Sequence, residues 1–377
     1  MRLSLPAALL AACTAVLLLQ PAATATPHRR DQAGGGSTTT IPLPAGTGLA
    51  PRGTRPFELL GLDWDGPAEA LAGAVLRVRT RNAATGRWSD WHRLEAEPGD
   101  GPDHPAHSAT APLWTGRSDG VAVDLRPGPA GVPPGLRLDL VDPGRGAPHT
   151  TVRTLPAEPP TKGQAPRPPI VTRAGWGADE SLRDQDFDYT GPVREVFVHH
   201  TDSATDYACA DAPRVIRAIY QYHVRTNGWR DIGYNFLVDR CGTVYEGRAG
   251  GVDLPVHGAH TLGFNTDSAG VAAIGTYTED QPPQPLLDGL AALAAWKLGL
   301  TAQPADGRTQ LTSTSNASRY PKGTVADFDA VSGHRDAVAT ECPGTTLYAS
   351  LPALRTAAAH LQTPAALPPD PLTPLTP

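Results

Sequence analysis

The chain has 377 residues, enough for two or three domains that each bury a core. Its 40% hydrophobic content is that of a globular protein, and 40 prolines with 39 glycines add many turns and linkers. A net charge of −6 gives no electrostatic reason for a nucleic-acid partner, and beyond the N-terminal segment no run approaches the ~20 apolar residues of a membrane helix.

In chain order, Arg2, the apolar run 3–19 and the small residues Ala23-Thr24-Ala25 predict a signal peptide over 1–25, cleaved after Ala25. The mature chain is then extracellular, with 31 basic against 38 acidic residues and a net charge of −7. Leu10-Ala11-Ala12-Cys13 is an alternative lipoprotein signal anchored through Cys13, against which the apolar run continues to Leu19. Residues 26–55, with Gly34-Gly35-Gly36 and a threonine run, read as a flexible leader.

From 56 to 154 short runs alternate with period two. Leu76, Val78 and Thr80 interleave with Arg77, Arg79 and Arg81; Val121, Val123 and Leu125 with Ala122 and Asp124; Leu136, Leu138 and Leu140 with Arg137 and Asp139. This pattern predicts an all-β, sandwich-like domain. Trp88 and Trp91 are expected to fill its core; stacking on a sugar is the alternative. A proline-rich linker follows over 155–170.

Over 171–362 strands and helices alternate: a strand over 193–200, a helix over 213–225 with Asp211 as its cap, and a hairpin of 235–238 and 243–246. A strand over 271–274, a helix over 286–298, a strand end at 330–332 and a last helix over 345–361 complete an α/β domain with helices packed on a central mixed β-sheet. The tail, 363–377, is dominated by proline and is expected to be disordered.

Signal cleavage leaves three cysteines. Pairing Cys209 with Cys241 in an oxidising compartment leaves Cys342 as a thiolate for a metal ion. Val198-His199-His200-Thr201 and Gly333-His334-Arg335-Asp336 supply imidazoles, and two His with one Cys suit zinc with an open fourth position. Side chains alternate along a strand, so one of His199 and His200 faces the site; position alone does not choose. His-Glu-x-x-His is absent, which argues against a thermolysin-like protease.

The intervening residues extend the pattern. Arg173-Ala174-Gly175-Trp176-Gly177-Ala178, the segment Gly228-Trp229-Arg230-Asp231-Ile232-Gly233-Tyr234-Asn235-Phe236, and Tyr245-Glu246-Gly247-Arg248 fall in order with Gly258-Ala259-His260, Gly263-Phe264-Asn265 and Glu341-Cys342-Pro343-Gly344. Together they resemble the zinc-dependent N-acetylmuramoyl-L-alanine amidases of the phage lysozyme type and the peptidoglycan recognition proteins. The resemblance covers residues 171 to 350.

What it implies is a cell-wall-associated zinc amidase that acts on peptidoglycan muropeptides, as a monomer. His199, His334 and Cys342 become the zinc ligands. Tyr234 becomes the phenol that hydrogen-bonds the metal's water or the tetrahedral intermediate, and Trp229, Arg248, His260 and Asn265 become substrate-binding residues. Thr340 stands where the phage enzymes carry lysine and many animal proteins threonine; a hydroxyl there donates a weaker hydrogen bond than an ammonium. The competing expectation is a recognition module that binds peptidoglycan without cutting it. Relatives of that kind typically lack the cysteine, which is present here. A zinc peptidase acting elsewhere in the stem peptide shares the same metal chemistry.

Overall fold

A computed structural model describes residues 28–31, 36–43, 48–96, 103, 107–146, 153–159 and 164–362. The expected signal peptide, Cys13 and the tail 363–377 lie outside the described residues. The N-terminal half contributes β1 (His28–Asp31), β2 (Ser37–Pro42), β3 (Leu49–Asp65), β4 (Val75–Asn82), β5 (His92–Arg93), β6 (His107–Ala109), β7 (Leu113–Arg126) and β8 (Arg137–Asp142). These form one antiparallel sheet in the order β1-β2-β8-β3-β7-β4-β5, with β6 paired to β3.

Period two in the sequence becomes two faces in the sheet. Leu76, Val78 and Thr80 of β4 are buried, while the arginines between them are half-buried. Phe57, Leu60, Leu62, Val78, Val123, Leu138 and Ile41 meet in one cluster although they come from five strands, so the sheet curls around them. Register shifts along the β3–β7 pair supply the bends that this curl needs.

Two expectations are corrected here. The leader 26–55 is not a free segment, because β2 pairs residue by residue with β8 and β3 begins at Leu49. Its threonines and Ile41 have β propensity, and β2 uses it between β1 and β8 with Thr38 and Ile41 buried. Trp88 and Trp91 do not fill the core either. Trp91 is 38% exposed, and the Arg79 guanidinium lies 5.1 Å and 4.9 Å from the two indole centroids.

The C-terminal half adds β9 (Thr154–Leu155), β10 (Ile170–Val171), β11 (Glu195–His200), β12 (Phe236–Val238), β13 (Val244–Glu246), β14 (Ser268–Ala273), β15 (Arg308–Thr312), β16 (Val325–Asp329) and β17 (Val331–Gly333). Its helices are α1 (Arg173–Trp176), α2 (Ala212–Arg225), α3 (Gln284–Gly299), α4 (His334–Ala337) and α5 (Thr345–Gln362). The main sheet runs β17-β11-β14-β12-β13-β10-β9, and β15 and β16 form a separate hairpin. Both ends of the proline-rich linker, at Leu155 and Ile170, are strand residues of that sheet.

Strand β11 is parallel to both neighbours, β14 and β17, and all six of its residues are buried. That accounts for a nearly unbroken apolar run ending in two histidines. Helices α3 and α5 cover one face through Leu286, Leu290, Leu347 and Leu351, and α2 covers the other through Val215, Ile216 and Ile219. Each such aliphatic side chain contributes ~1.5–3 kcal/mol of burial. Asp211 sits at the α2 N-cap position, but in helical conformation and without a capping hydrogen bond from its side chain. Cys209 and Cys241 form a disulfide that ties the start of α2 to the β12–β13 turn.

The outer surface of α2 packs on the N-terminal sheet. Leu59, Trp114 and Val141 join Ile216, Ile219 and Tyr220 in a single cluster. Tyr222 Oη donates to Thr110 O at 3.0 Å, and Thr226 Oγ1 donates to Asp139 Oδ2 at 2.6 Å. Beneath Tyr222 lies Gly61, where an added Cβ would come within 2.1 Å of the phenol oxygen.

Candidate metal centre

The β11–β17 register pairs Val196 with Val331, Phe197 with Ser332 and Val198 with Gly333. Continued by one residue, it brings His199 abreast of His334, the first residue of α4. Two imidazoles thus meet at the carboxyl ends of adjacent parallel strands, where open α/β sheets place their ligands. Their ring centroids are 4.4 Å apart. The loop after α4 folds back, with Arg335 N donating to Cys342 O at 3.0 Å, and carries the thiol to the same point.

One donor atom from each of His199, His334 and Cys342 lies within 4.8 Å of the others, and all three residues are buried. Cys342 Sγ is 3.7 Å from His199 Nδ1, close to the ~3.5 Å separation of donors around a tetrahedral zinc ion. Burial, followed by the neighbouring His334, His260 and His200, pushes the His199 imidazole well below its ordinary range. Burial, followed by His200, takes His334 down to about 3. Both rings are therefore neutral near pH 7, the state in which a nitrogen lone pair binds a cation. The backbone N–H of His200 donates to Cys342 Sγ at 3.3 Å. By donor type and spacing the three fit a zinc ion.

His200 also borders the cleft, but its ring turns away from the three donors, and its Nδ1 accepts from Tyr277 N at 3.4 Å. Around His199, Thr261 Oγ1 lies 3.3 Å from Nε2 and 2.9 Å from His260 Nδ1. With Nδ1 of His199 turned to the cysteine, its Nε2–H donates to Thr261, and the Thr261 hydroxyl donates to His260. His260 then carries its proton on Nε2, a buried atom with no partner among the described residues. A Cβ at Gly270 would stand 2.3 Å from the His260 ring, so only glycine leaves that ring its place. Asp336 accepts from Gly333 N at 2.8 Å and from Tyr348 Oη at 2.6 Å, bracing the metal loop.

The cleft over the three donors is lined by Tyr234, Trp229, His260, Thr201, Asp202 and Thr340. The Tyr234 ring centroid is 5.4 Å from that of His199. Thr340 Oγ1 accepts from Cys342 N at 3.2 Å, which leaves its hydroxyl proton to donate elsewhere. Behind Trp229 and Tyr234 sits His223, which accepts from Gly233 N at 3.1 Å and which burial pushes down to about 3.

Arg248 and Asn265 do not line this cleft. Asn265 Oδ1 accepts from His260 N and Thr261 N, both at 2.8 Å, and so holds the histidine loop. Arg248 is buried against Ile232 O and the carboxylate of Asp103, with Nη2–Oδ2 at 2.5 Å and Nη1–Oδ1 at 3.2 Å. Sequence reasoning missed Asp103 as the partner of Arg248, and it missed Glu95, Ala96 and Ala111 of the N-terminal domain, which line the cleft. No local pattern marks them, because they reach the site only through domain docking.

A mixed sheet with helices on both faces and a two-histidine, one-cysteine cluster at its strand ends defines an α/β domain built around a candidate metal centre. The sequence profile described as N-acetylmuramoyl-L-alanine amidase matches residues 189–345, and that described as Rv3811 N-terminal galactose-binding domain-like matches 19–164. A peptidoglycan recognition protein of Trichoplusia ni is 34% identical over 48% of this chain and 83% of its own length. The N-acetylmuramoyl-L-alanine amidase of Homo sapiens is 34% identical over 48% of this chain and 27% of its own. The solved structure of wild-type Drosophila PGRP-LB aligns with 48% of this chain and 91% of its own at 28% identity and a TM-score of 0.38. The chain belongs to the family of peptidoglycan recognition proteins and N-acetylmuramoyl-L-alanine amidases.

Proposed function

We propose that this protein is an exported, zinc-dependent amidase that cleaves the bond between the lactyl group of N-acetylmuramic acid and L-alanine in peptidoglycan. The observation that carries the reading is the convergence of His199, His334 and Cys342 beneath a cleft that also holds Tyr234. A module that only binds has no chemical need for a buried thiol between two neutral imidazoles. When bound, zinc supplies a Lewis acid for the scissile carbonyl and lowers the pKa of water to about 7.

The remaining work falls to side chains. Tyr234 donates a hydrogen bond to the oxygen that gains charge as the carbonyl becomes tetrahedral, and the hydroxyl of Thr340 assists it more weakly. The relay through Thr261 holds the His199 ring in one tautomer and leaves the Nε2–H of His260 to donate to substrate. Trp229 offers an apolar wall for the muropeptide. Export rests on the N-terminal segment and accords with the Cys209–Cys241 disulfide.

The test is digestion of purified cell wall by zinc-loaded protein, with mass spectrometry of the products. Peptides beginning at L-alanine, and muramic acid with an intact lactyl carboxylate, are expected. Cys342→Ala should abolish both products and bound zinc while the fold persists. Stoichiometric zinc and wall binding with no new amino termini would make the protein a recognition module instead.

A further inference from the structure

One side of the catalytic cleft belongs to the other domain. Glu95, Ala96 and Ala111 line it together with His199, His334 and Cys342. The two segments that carry them are tied to each other, with Ala111 N donating to Glu95 O at 3.0 Å and a β-bridge joining Ala96 to Thr110. They are also tied into the sheet, through Leu94 N to Leu76 O at 2.9 Å and Thr110 N to Leu62 O at 2.8 Å. Thr110 O in turn accepts from Tyr222 Oη of α2, so the wall is anchored to the helix that backs the site. A second anchor is the buried pair of Asp103 with Arg248. The Glu95 carboxyl is raised by partial burial and by Asp202 of the opposite wall, with Arg93 opposing.

We propose that the N-terminal domain is part of the substrate site, and that the one-carbon side chains of Ala96 and Ala111 set how bulky a group is admitted beside the scissile bond, with Glu95 at the mouth touching the muropeptide. The choice of muropeptide as ligand rests on the amidase reading; the existence of the wall does not. Small residues at both lining positions leave room that larger ones would fill, and the wall cannot swing aside without breaking the Tyr222 and Asp103 contacts.

The experiment uses both domains with residues 1–25, and so Cys13, removed, and compares Ala96→Trp, Ala111→Trp and, at an exposed position that tolerates bulk, Glu95→Trp. In metal-free protein a fluorescein maleimide should modify Cys342 about ten-fold more slowly in the variants, while the denatured chains react alike. In zinc-loaded protein the KM for a disaccharide muropeptide should rise about ten-fold with kcat and zinc content nearly unchanged, the signature of lost substrate binding. Wild-type maleimide rates in Glu95→Trp and in whichever alanine variants fold would overturn the wall, as would unchanged KM. If the wild type leaves muropeptides uncut and unbound, the amidase reading fails, and the maleimide rates still decide whether the wall is there.

Discussion

At the residue scale the site depends on which atoms carry protons. In the proposed mechanism Tyr234 acts through one O–H, and on that reading Tyr234→Phe should lower kcat by about 10²-fold while leaving KM and zinc content nearly unchanged. A fall in zinc content in that variant would instead make the phenol a structural support. His223 is a buried neutral imidazole held down to about 3, against an ordinary value of about 6.5 when unfolded. Between those values the unfolded chain binds the extra proton, so stability falls as the pH falls through that window. His223→Gln, which still accepts from Gly233 N, should lose ~2 kcal/mol less than the wild type between pH 6.5 and 5. Urea titrations at the two pH values measure this, and equal losses would show that another group drives the acid transition.

At the element scale, the short helix α1 is tied to its surroundings by the cation of its own first residue. Arg173 is buried, donates to Glu180 Oε1 at 2.8 Å and Asp231 Oδ1 at 3.1 Å, and reaches Gly247 O at 2.5 Å. Burial opposes its charge, and Asp231 with Glu180 outweighs it, so its pKa is raised. Arg173→Ala leaves buried Asp231 without its charge partner and should destabilise the domain by ~3–5 kcal/mol, read by chemical denaturation. A loss under ~1 kcal/mol would mean that this network is solvated. The helices and strands themselves were largely legible in the sequence. The run at β11 is legible as a short unbroken apolar stretch, as burial on both faces requires, and α2 as a helical periodicity that burial of one stripe enforces. The strands β2 and early β3 were not legible, since threonine, glycine and proline there carry little hydrophobic alternation and the pairing partner β8 lies about a hundred residues away.

For the whole molecule, the docking of α2 on the N-terminal sheet decides whether the two halves act as one. Gly61→Val would drive a side chain into Tyr222, and that overlap cannot be relieved without separating the domains. The expected outcome is two unfolding transitions in place of one, together with faster modification of Cys342 in the metal-free protein; a single unshifted transition would count against a shared core. Among the described residues no helix is long and apolar enough to cross a membrane.

The sequence by itself determined the two kinds of domain and nominated the donors, because residue chemistry and short-range periodicity are local properties: two histidines and a thiol suit zinc wherever the fold puts them. It left open which of His199 and His200 turns inward until a family resemblance chose, and it did not show that Arg248 pairs with Asp103 or that Asn265 holds the His260 loop. Only the tertiary structure decided those orientations, since the β11–β17 register, the Asp103 pair and the wall of Glu95, Ala96 and Ala111 arise from contacts between residues far apart in the chain. Such contacts are selected by packing and close approach, as at Gly61 beneath Tyr222, and leave no periodic mark in either partner's own segment.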